Sequence, residues 1–278
     1  MTYSIVARDA ETGELGVAVQ SQSFNTGAAV PWARPGVGAV ATQSFTDRRY
    51  GWRGLELLGT ARAPDEVLAE LVAADDLSAF RQVGMLEARG ATAQFTGEHC
   101  IPRAGQVAGA GWAAQGNMLA ADAWHEMGRV FEETTGTLAQ RLMAALEAAE
   151  ATGGDWRGRG GAAIVVVPSE GEPWERIVDL RVEEGDDSLV VLRRLLERAE
   201  AYREANRARP AAPVAAARGL PAAYVKWLSV LDAAGAGDVA EGRRLLAELE
   251  AEQPEWRGGF RSLVHHPEMP PLQEILGE

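Results

Sequence analysis

One cysteine, Cys100, and one lysine, Lys226, stand among 278 residues, and both scarcities carry information. A single thiol excludes an internal disulfide framework and any multi-cysteine zinc or iron–sulfur site, and it fits a reducing compartment. The positive charge is therefore almost all arginine, and Lys plus Arg number 27 against 40 Asp plus Glu, a balance of −13. That balance argues against a surface that works by neutralising phosphates, so neither nucleic acid nor an anionic membrane is expected as a partner. No run reaches eighteen uncharged apolar residues, and the best stretch, 160–168, has the length of a strand. The first twenty residues place Arg8, Asp9, Glu11 and Glu14 where a signal peptide needs an apolar run, so a cytoplasmic location is expected. What remains is ordinary globular composition, 46% apolar and 24% charged, long enough for one large domain with a small appendage.

Residues 3–8 and 14–20 are rich in β-branched types and flank the turn formers Asp9 to Gly13, which predicts a hairpin at the N-terminus. A third extended stretch, 36–44, follows Pro31 and Pro35 and should pair with that hairpin. Helical spacing then appears at Leu55, Leu57 and Leu58, and again at Val67, Leu68, Leu71 and Val72 after Pro64. Strands return at 81–88, 91–96 and 106–113, followed by helices from Leu119 and Leu138 and by strands at 162–167 and 176–182. Strand blocks alternating with helix pairs predict an α+β fold of layered sheets with helices outside. A helix marked by Leu189, Leu192 and Leu196 closes a first domain at 1–205, and the Ala/Pro/Arg-rich 206–221 reads as a linker. Residues 222–278 make a small helical domain, which at this size needs a docking or oligomer contact.

Thr2 is the candidate nucleophile. Removal of Met1 would leave a hydroxyl and a free α-amine on one residue, and an amine of pKa about 8 can act as base for that hydroxyl near neutrality. A rigid strand directly after it would hold it at a sheet end. Gln43, Ser44 and Asp47 end the third strand near the start of the first, as pocket residues or, for Ser44 and Asp47, as caps of the helix from about residue 50. Ser21 and Ser23 end the second strand similarly. Asn117 could donate its amide to a substrate oxyanion or cap the helix from Leu119. The glycines at 105, 109 and 111 do not complete a dinucleotide fingerprint, because residue 114 is Ala. Arg157 and Arg159 read as a solvated loop or an anion holder, and Asp75-Asp76 and Glu183 to Asp187 as solvated acidic turns. No metal site and no cofactor are expected.

The segments TYSIVARDAETGELGVAV, VPWARPGVGAVATQS, YGWRGLELL, FTGEHC, AGAGWAAQGNML and DLRV, in that order over residues 2 to about 198, resemble the domain of unknown function 1028 family, which resembles the N-terminal nucleophile (Ntn) hydrolases in fold. The resemblance implies a four-layer αββα sandwich with Thr2 at the nucleophile position, carrying a small C-terminal α-helical domain. It implies an amidohydrolase acting on a small-molecule or peptide-like substrate, and self-assembly through the outer helices into a homo-oligomer. The last 70 residues resemble a small domain often appended to this family and described as a peptidoglycan-binding module. The chain departs from the pattern in two places: proteasome-like members set a lysine beside the nucleophile, and the family tends to carry Gln-Ser where Gly160 and Gly161 stand here. A non-catalytic small-ligand binder or assembly unit on the same fold is the alternative.

Overall fold

The computed structural model describes residues 2–277, so Met1, whose removal the nucleophile reading needs, lies outside the described residues. The chain divides into two compact units, Met1–Leu196 and Glu197–Glu278. The first mixes helices with antiparallel sheets. Strands β1 (Thr2–Arg8) and β2 (Leu15–Ser21) form the expected hairpin, closed by Asp9, whose Oδ1 accepts the amide protons of Glu11 and Thr12 beside the left-handed Gly13. β3 (Pro31–Arg34) and β4 (Gly38–Ser44) come next, then helices α1 (Arg49–Leu58) and α2 (Pro64–Ala73), then β5 (Arg81–Glu87) and β6 (Thr92–Thr96). β7 (Gly105–Gly109) and β8 (Trp112–Asn117) precede α3 (Ala123–Glu133) and α4 (Leu138–Ala151), the latter begun by a reciprocal Thr137–Gln140 capping box. β9 (Gly161–Val167), β10 (Val178–Val182) and α5 (Ser188–Arg207) follow.

The strands build two sheets, one ordered β10-β9-β2-β1-β8-β7 and one ordered β3-β4-β5-β6. Period-two alternation decides what each face buries. Tyr3, Ile5, Ala7, Ala18, Ile164 and Val166 turn to one side and pack with α3, α4 and the start of α5. Val6, Val17, Val19, Val165, Ala39 and Leu86 meet between the sheets. Val40, Val83 and Met85 turn to the far side and pack under α1 and α2. β9 is buried along its whole length, as its unbroken apolar run requires of a strand covered on both faces.

Four local expectations fail for physical reasons. The stretch 36–44 does not pair with the first hairpin: as β4 it lies between β3 and β5 in the other sheet, and its apolar inward face meets the hairpin across the space between the sheets. The stretch read as one strand at 106–113 is the hairpin of β7 and β8, turned at Gly111 with φ 75°. The helix expected from Leu119 starts at Ala123, because Met118 is left-handed and Leu119 bridges to Asp155. The 206–221 segment is not an extended linker: α5 runs to Arg207, and α6 (Ala212–Ala217) buries Ala212 and Ala215, with Ala211 and Leu220, in a small core. α7 (Ala222–Ala236), α8 (Val239–Glu252), α9 (Trp256–Leu263) and α10 (Gln273–Leu276) complete the second unit around Leu246, Leu249, Phe260 and Ile275. Among the described residues no helix is long and apolar enough to cross a membrane.

Candidate functional site

Thr2 opens β1, a central strand, with β2 on one flank and β8 on the other. Ser21 and Asn117 are its register partners. Alternation aims Thr2 and Ser4 into the space between the sheets, on the same face as Val6. Thr2 is 8% exposed, and its Oγ1 donates to Ser21 Oγ at 3.0 Å, while Ser21 Oγ also accepts the amide proton of Ser23 at 3.2 Å. From the facing sheet, Gln43 Nε2 donates to the Thr2 carbonyl at 3.2 Å and to Gln82 Oε1 at 2.8 Å, and Gln43 Oε1 accepts from Ser4 Oγ at 2.7 Å. Asn117 Nδ2 donates to the same Gln82 Oε1 at 3.0 Å. Gln82 Nε2 is directed at Gly116 O, 2.9 Å, with Thr96 Oγ1 and Gly105 O also in range. Two amide side chains of the second sheet thus brace both the first residue of β1 and the end of β8.

Of the residues singled out in the sequence, Thr2, Ser21, Gln43 and Asn117 come together. Ser23 is exposed and reaches the group only through its backbone amide. Ser44 and Asp47 do not join it. Ser44 pairs with Arg81 rather than Gln82, so alternation turns it to the other face of its sheet, with φ 71° and a buried Oγ. Cys100 lies beside it, and burial pushes that thiol up, keeping it neutral. Asp47 belongs to an ion cluster on that outer face. It accepts from the Arg49 backbone and guanidinium and lies 3.6 Å from Arg81, whose Nε donates to Asp75 at 2.8 Å. Both carboxylates are held below the ordinary range, chiefly by hydrogen bonds from Arg49 on Asp47 and from Arg81 on Asp75. Asp75 is therefore a buried ion-pair member rather than a solvated turn. Asn117 caps no helix, since α3 begins six residues later.

The hub, Gln82, escaped the sequence reading. A lone glutamine in the apolar stretch 81–88 looks like a solvent-facing strand position, and only its pairing with Gln43 reveals the inward face. Its signal was collective: Gln43, Gln82 and Gln115 each stand two positions from a small residue, Ala41, Gly84 and Ala113, on otherwise apolar strands.

The loops around this end are under backbone tension. Asn25, Ser44, Arg103 and Met118 have φ between 56° and 71°: Ser44 ends β4, Met118 follows β8, and Asn25 and Arg103 lie in the loops after β2 and before β7. Non-glycine residues rarely hold that region, and its use here is a mark of a constrained site. Arg103 spans the same rim, donating to the carbonyls of Leu119 and Ala120. Asp155 takes the Gln22 amide at 3.0 Å and pairs with Arg157, while Arg159 pairs with Glu150, which also accepts from Tyr3 Oη, so the glycine loop is tied down by its own carboxylates. Gly160 explains one departure from the family pattern, since a Cβ there would fall 2.1 Å from Gln22 O. Phe24, Phe45 and Trp156 on these loops are 69%, 56% and 54% exposed, with Phe45 edge-on to Phe80. The chemical centre itself is uncharged. Lys226 lies in the other unit, and Arg34, paired with Gly38, lies at the opposite end of β4 from Gln43. Among the described residues no group of three or more His, Cys, Asp or Glu is placed to hold a metal ion.

Comparison with known proteins agrees with this description in its main part. The crystal structure of protein SPO2555 from Silicibacter pomeroyi, a member of the DUF1028 family, is 30% identical, superposes with a TM-score of 0.66, and is matched over 85% of its chain and 71% of this one. Anbu (ancestral beta-subunit) from Yersinia bercovieri matches at 12% identity and a TM-score of 0.35, over 96% of that chain and 73% of this one. Among the curated proteins compared, none matches. Residues 2–192 fit the model of the family of unknown function DUF1028, and the chain belongs to that family.

Proposed function

We propose that this chain is an amidohydrolase of the N-terminal nucleophile type, built on a four-layer αββα sandwich and activated by removal of Met1. The observation that carries the reading is the seat of Thr2: a hydroxyl at the buried end of a central strand, fixed by Ser21 at 3.0 Å and braced by amides from the facing sheet. Loss of Met1 turns the Thr2 amide into a free amine on the nucleophile's own residue. With no lysine in the first unit, that amine is the base. It takes the Oγ1 proton as the oxygen attacks an amide carbonyl. The tetrahedral intermediate collapses with the proton delivered to the leaving nitrogen, and water then hydrolyses the ester left on Thr2. The aromatic rim of Phe24, Phe45 and Trp156 fits a small-molecule or peptide-like substrate with an apolar portion.

The second reading, a non-catalytic small-ligand binder or assembly unit, draws support from the same network: Gln43 spends both its amide atoms on protein partners and offers none to a ligand. Intact mass and N-terminal sequencing of untagged protein should find a chain starting at Thr2. Turnover of an amide panel should fall at least about a thousandfold in Thr2→Ala. Turnover that survives in Thr2→Ala would overturn the hydrolase reading and leave the second.

A further inference from the structure

Within the uncharged group around Thr2, two buried acceptors lack a donor, Gln115 Oε1 and Asn117 Oδ1, and of the two Asn117 stands opposite Thr2. Asn117 is fully buried, its Nδ2 is committed to Gln82, and its Oδ1 lacks a hydrogen-bond donor. A buried acceptor left empty is costly, so such an atom calls for an explanation. The register supplies one. Asn117 stands directly opposite Thr2 on the neighbouring strand, where facing Cβ atoms lie about 5 Å apart, and both side chains point between the sheets. Thr2 is also the residue at which processing would create new donors, since an amide carries one N–H and an ammonium three.

We infer that Asn117 Oδ1 is the seat of the Thr2 α-amine in the processed chain, a positioning residue that holds the base beside Thr2 Oγ1. The inference rests on the reading of Thr2 as an N-terminal nucleophile. Gln82 fixes which way the Asn117 amide faces: its Oε1 accepts from both Asn117 and Gln43, so the Asn117 nitrogen is turned toward the second sheet and the oxygen is left for Thr2. The side chains bonded to Thr2 and Asn117, those of Ser21, Gln43 and Gln82, carry no charge. The titratable groups on the elements packed around it are Asp155 with Arg157 beside Gln22, Tyr3 with Glu150 and Arg159 on the outer face of β1, Arg81 with Asp75 and Asp47 on the outer face of β5, and Cys100.

The chain has a single lysine, so competitive acylation with acetic anhydride, read by mass, follows only two kinds of amine, Lys226 and the N-terminus. The protein is the full chain with Met1 removed, by its host or by a methionine aminopeptidase in vitro. Asn117→Leu takes the acceptor from the ammonium and should lower the Thr2 amine pKa by about one unit, a tenfold change in the protonation equilibrium, and Asn117→Asp should raise it. A crystal structure of the processed wild-type chain needs no variant to fold: it should place the Thr2 nitrogen within about 3.2 Å of Asn117 Oδ1. A nitrogen turned away, or an amine pKa unmoved in whichever variant folds, overturns the assignment. An amine seated on Asn117 in a chain that hydrolyses no amide leaves the assignment standing while the hydrolase reading fails.

Discussion

The space between the two sheets is apolar at one end and polar at the other, and the change runs along β1, β2, β4, β5 and β8, while β9 stays apolar as far as Gly161. β1 passes from Val6 to Ser4 and Thr2, β2 from Val17 and Val19 to Ser21, β4 from Ala39 and Ala41 to Gln43, and β5 from Leu86 through Gly84 to Gln82. β8 passes from Ala113 to Gln115 and Asn117. The apolar end is held by burial alone, which is non-directional and tolerates repacking. The polar end holds seven amide and hydroxyl side chains, oriented by the hydrogen bonds among them and to the facing backbone. A core built only for stability has no need of the second end. Preorganised dipoles around a hydroxyl are what a reacting centre needs.

The sharpest way to break this contrast is Gln82→Leu. It removes the acceptor shared by Gln43 and Asn117 and the donor to Gly116 O, leaving several buried groups unpaired, and should cost about 4 kcal/mol in urea unfolding. Any Thr2-dependent turnover should fall with it. Leu86→Ala is the matched change at the apolar end, where Leu86 is fully buried, and should cost about 3 kcal/mol. Because its neighbours there make no oriented contact with Thr2, turnover at a temperature where both proteins are folded should match the parent. Equal loss of turnover in the two variants would show that the polar end has no chemical role of its own.

The difference between the ends also explains what could be read without coordinates. Apolar positions announce themselves by period, so the first hairpin, the covered strand at 162–167 and the amphipathic helices are legible as elements. Polar inward positions mimic outward ones, which hid Gln82 and misplaced Ser44 by one residue and therefore by one face. Pro31–Arg34 reads in sequence as a break between two prolines, although a proline at the first position of an edge strand costs no ladder bond. Helix α6 was invisible because its buried face is alanine, which shows little hydropathic contrast with an Ala/Pro-rich surround.

Asp75→Asn sharpens the polar end itself, which is charged on the outer face of β5 and neutral on the inner. Asp75 is buried and bonded by Arg81 and Tyr50 Oη, so the substitution should cost about 2 kcal/mol at neutral pH. The Arg81 hydrogen bond holds its folded pKa below that of the unfolded chain. Its contribution is therefore complete above about pH 4 and drains away as pH falls through the folded value, so parent and variant should converge in acid. Urea midpoints measured from pH 7 to pH 2 test this. A gap that stays constant would mean that the Asp75 charge contributes nothing. The amide network on the inner face has no group to titrate and adds no slope.

The smallest effect expected is a gain. Gln20 is opposite Tyr3 on β2, one residue before Ser21, and so lies on the helix-covered face rather than between the sheets. It is fully buried, and neither its oxygen nor its nitrogen has a hydrogen-bond partner. At Gln82 every polar atom is engaged, whereas here one residue from the candidate nucleophile's partner an amide is desolvated for no visible return. Gln20→Met keeps the length of the side chain and discards the stranded dipole, so it should stabilise by about 1 kcal/mol. The measurement is a urea midpoint beside a Thr2-dependent assay. A gain with turnover intact would confine the constrained chemistry to the inner face. A gain accompanied by lost turnover would extend it through β2 to the face beneath α4, where Gln20 would then be a strained part of the same site.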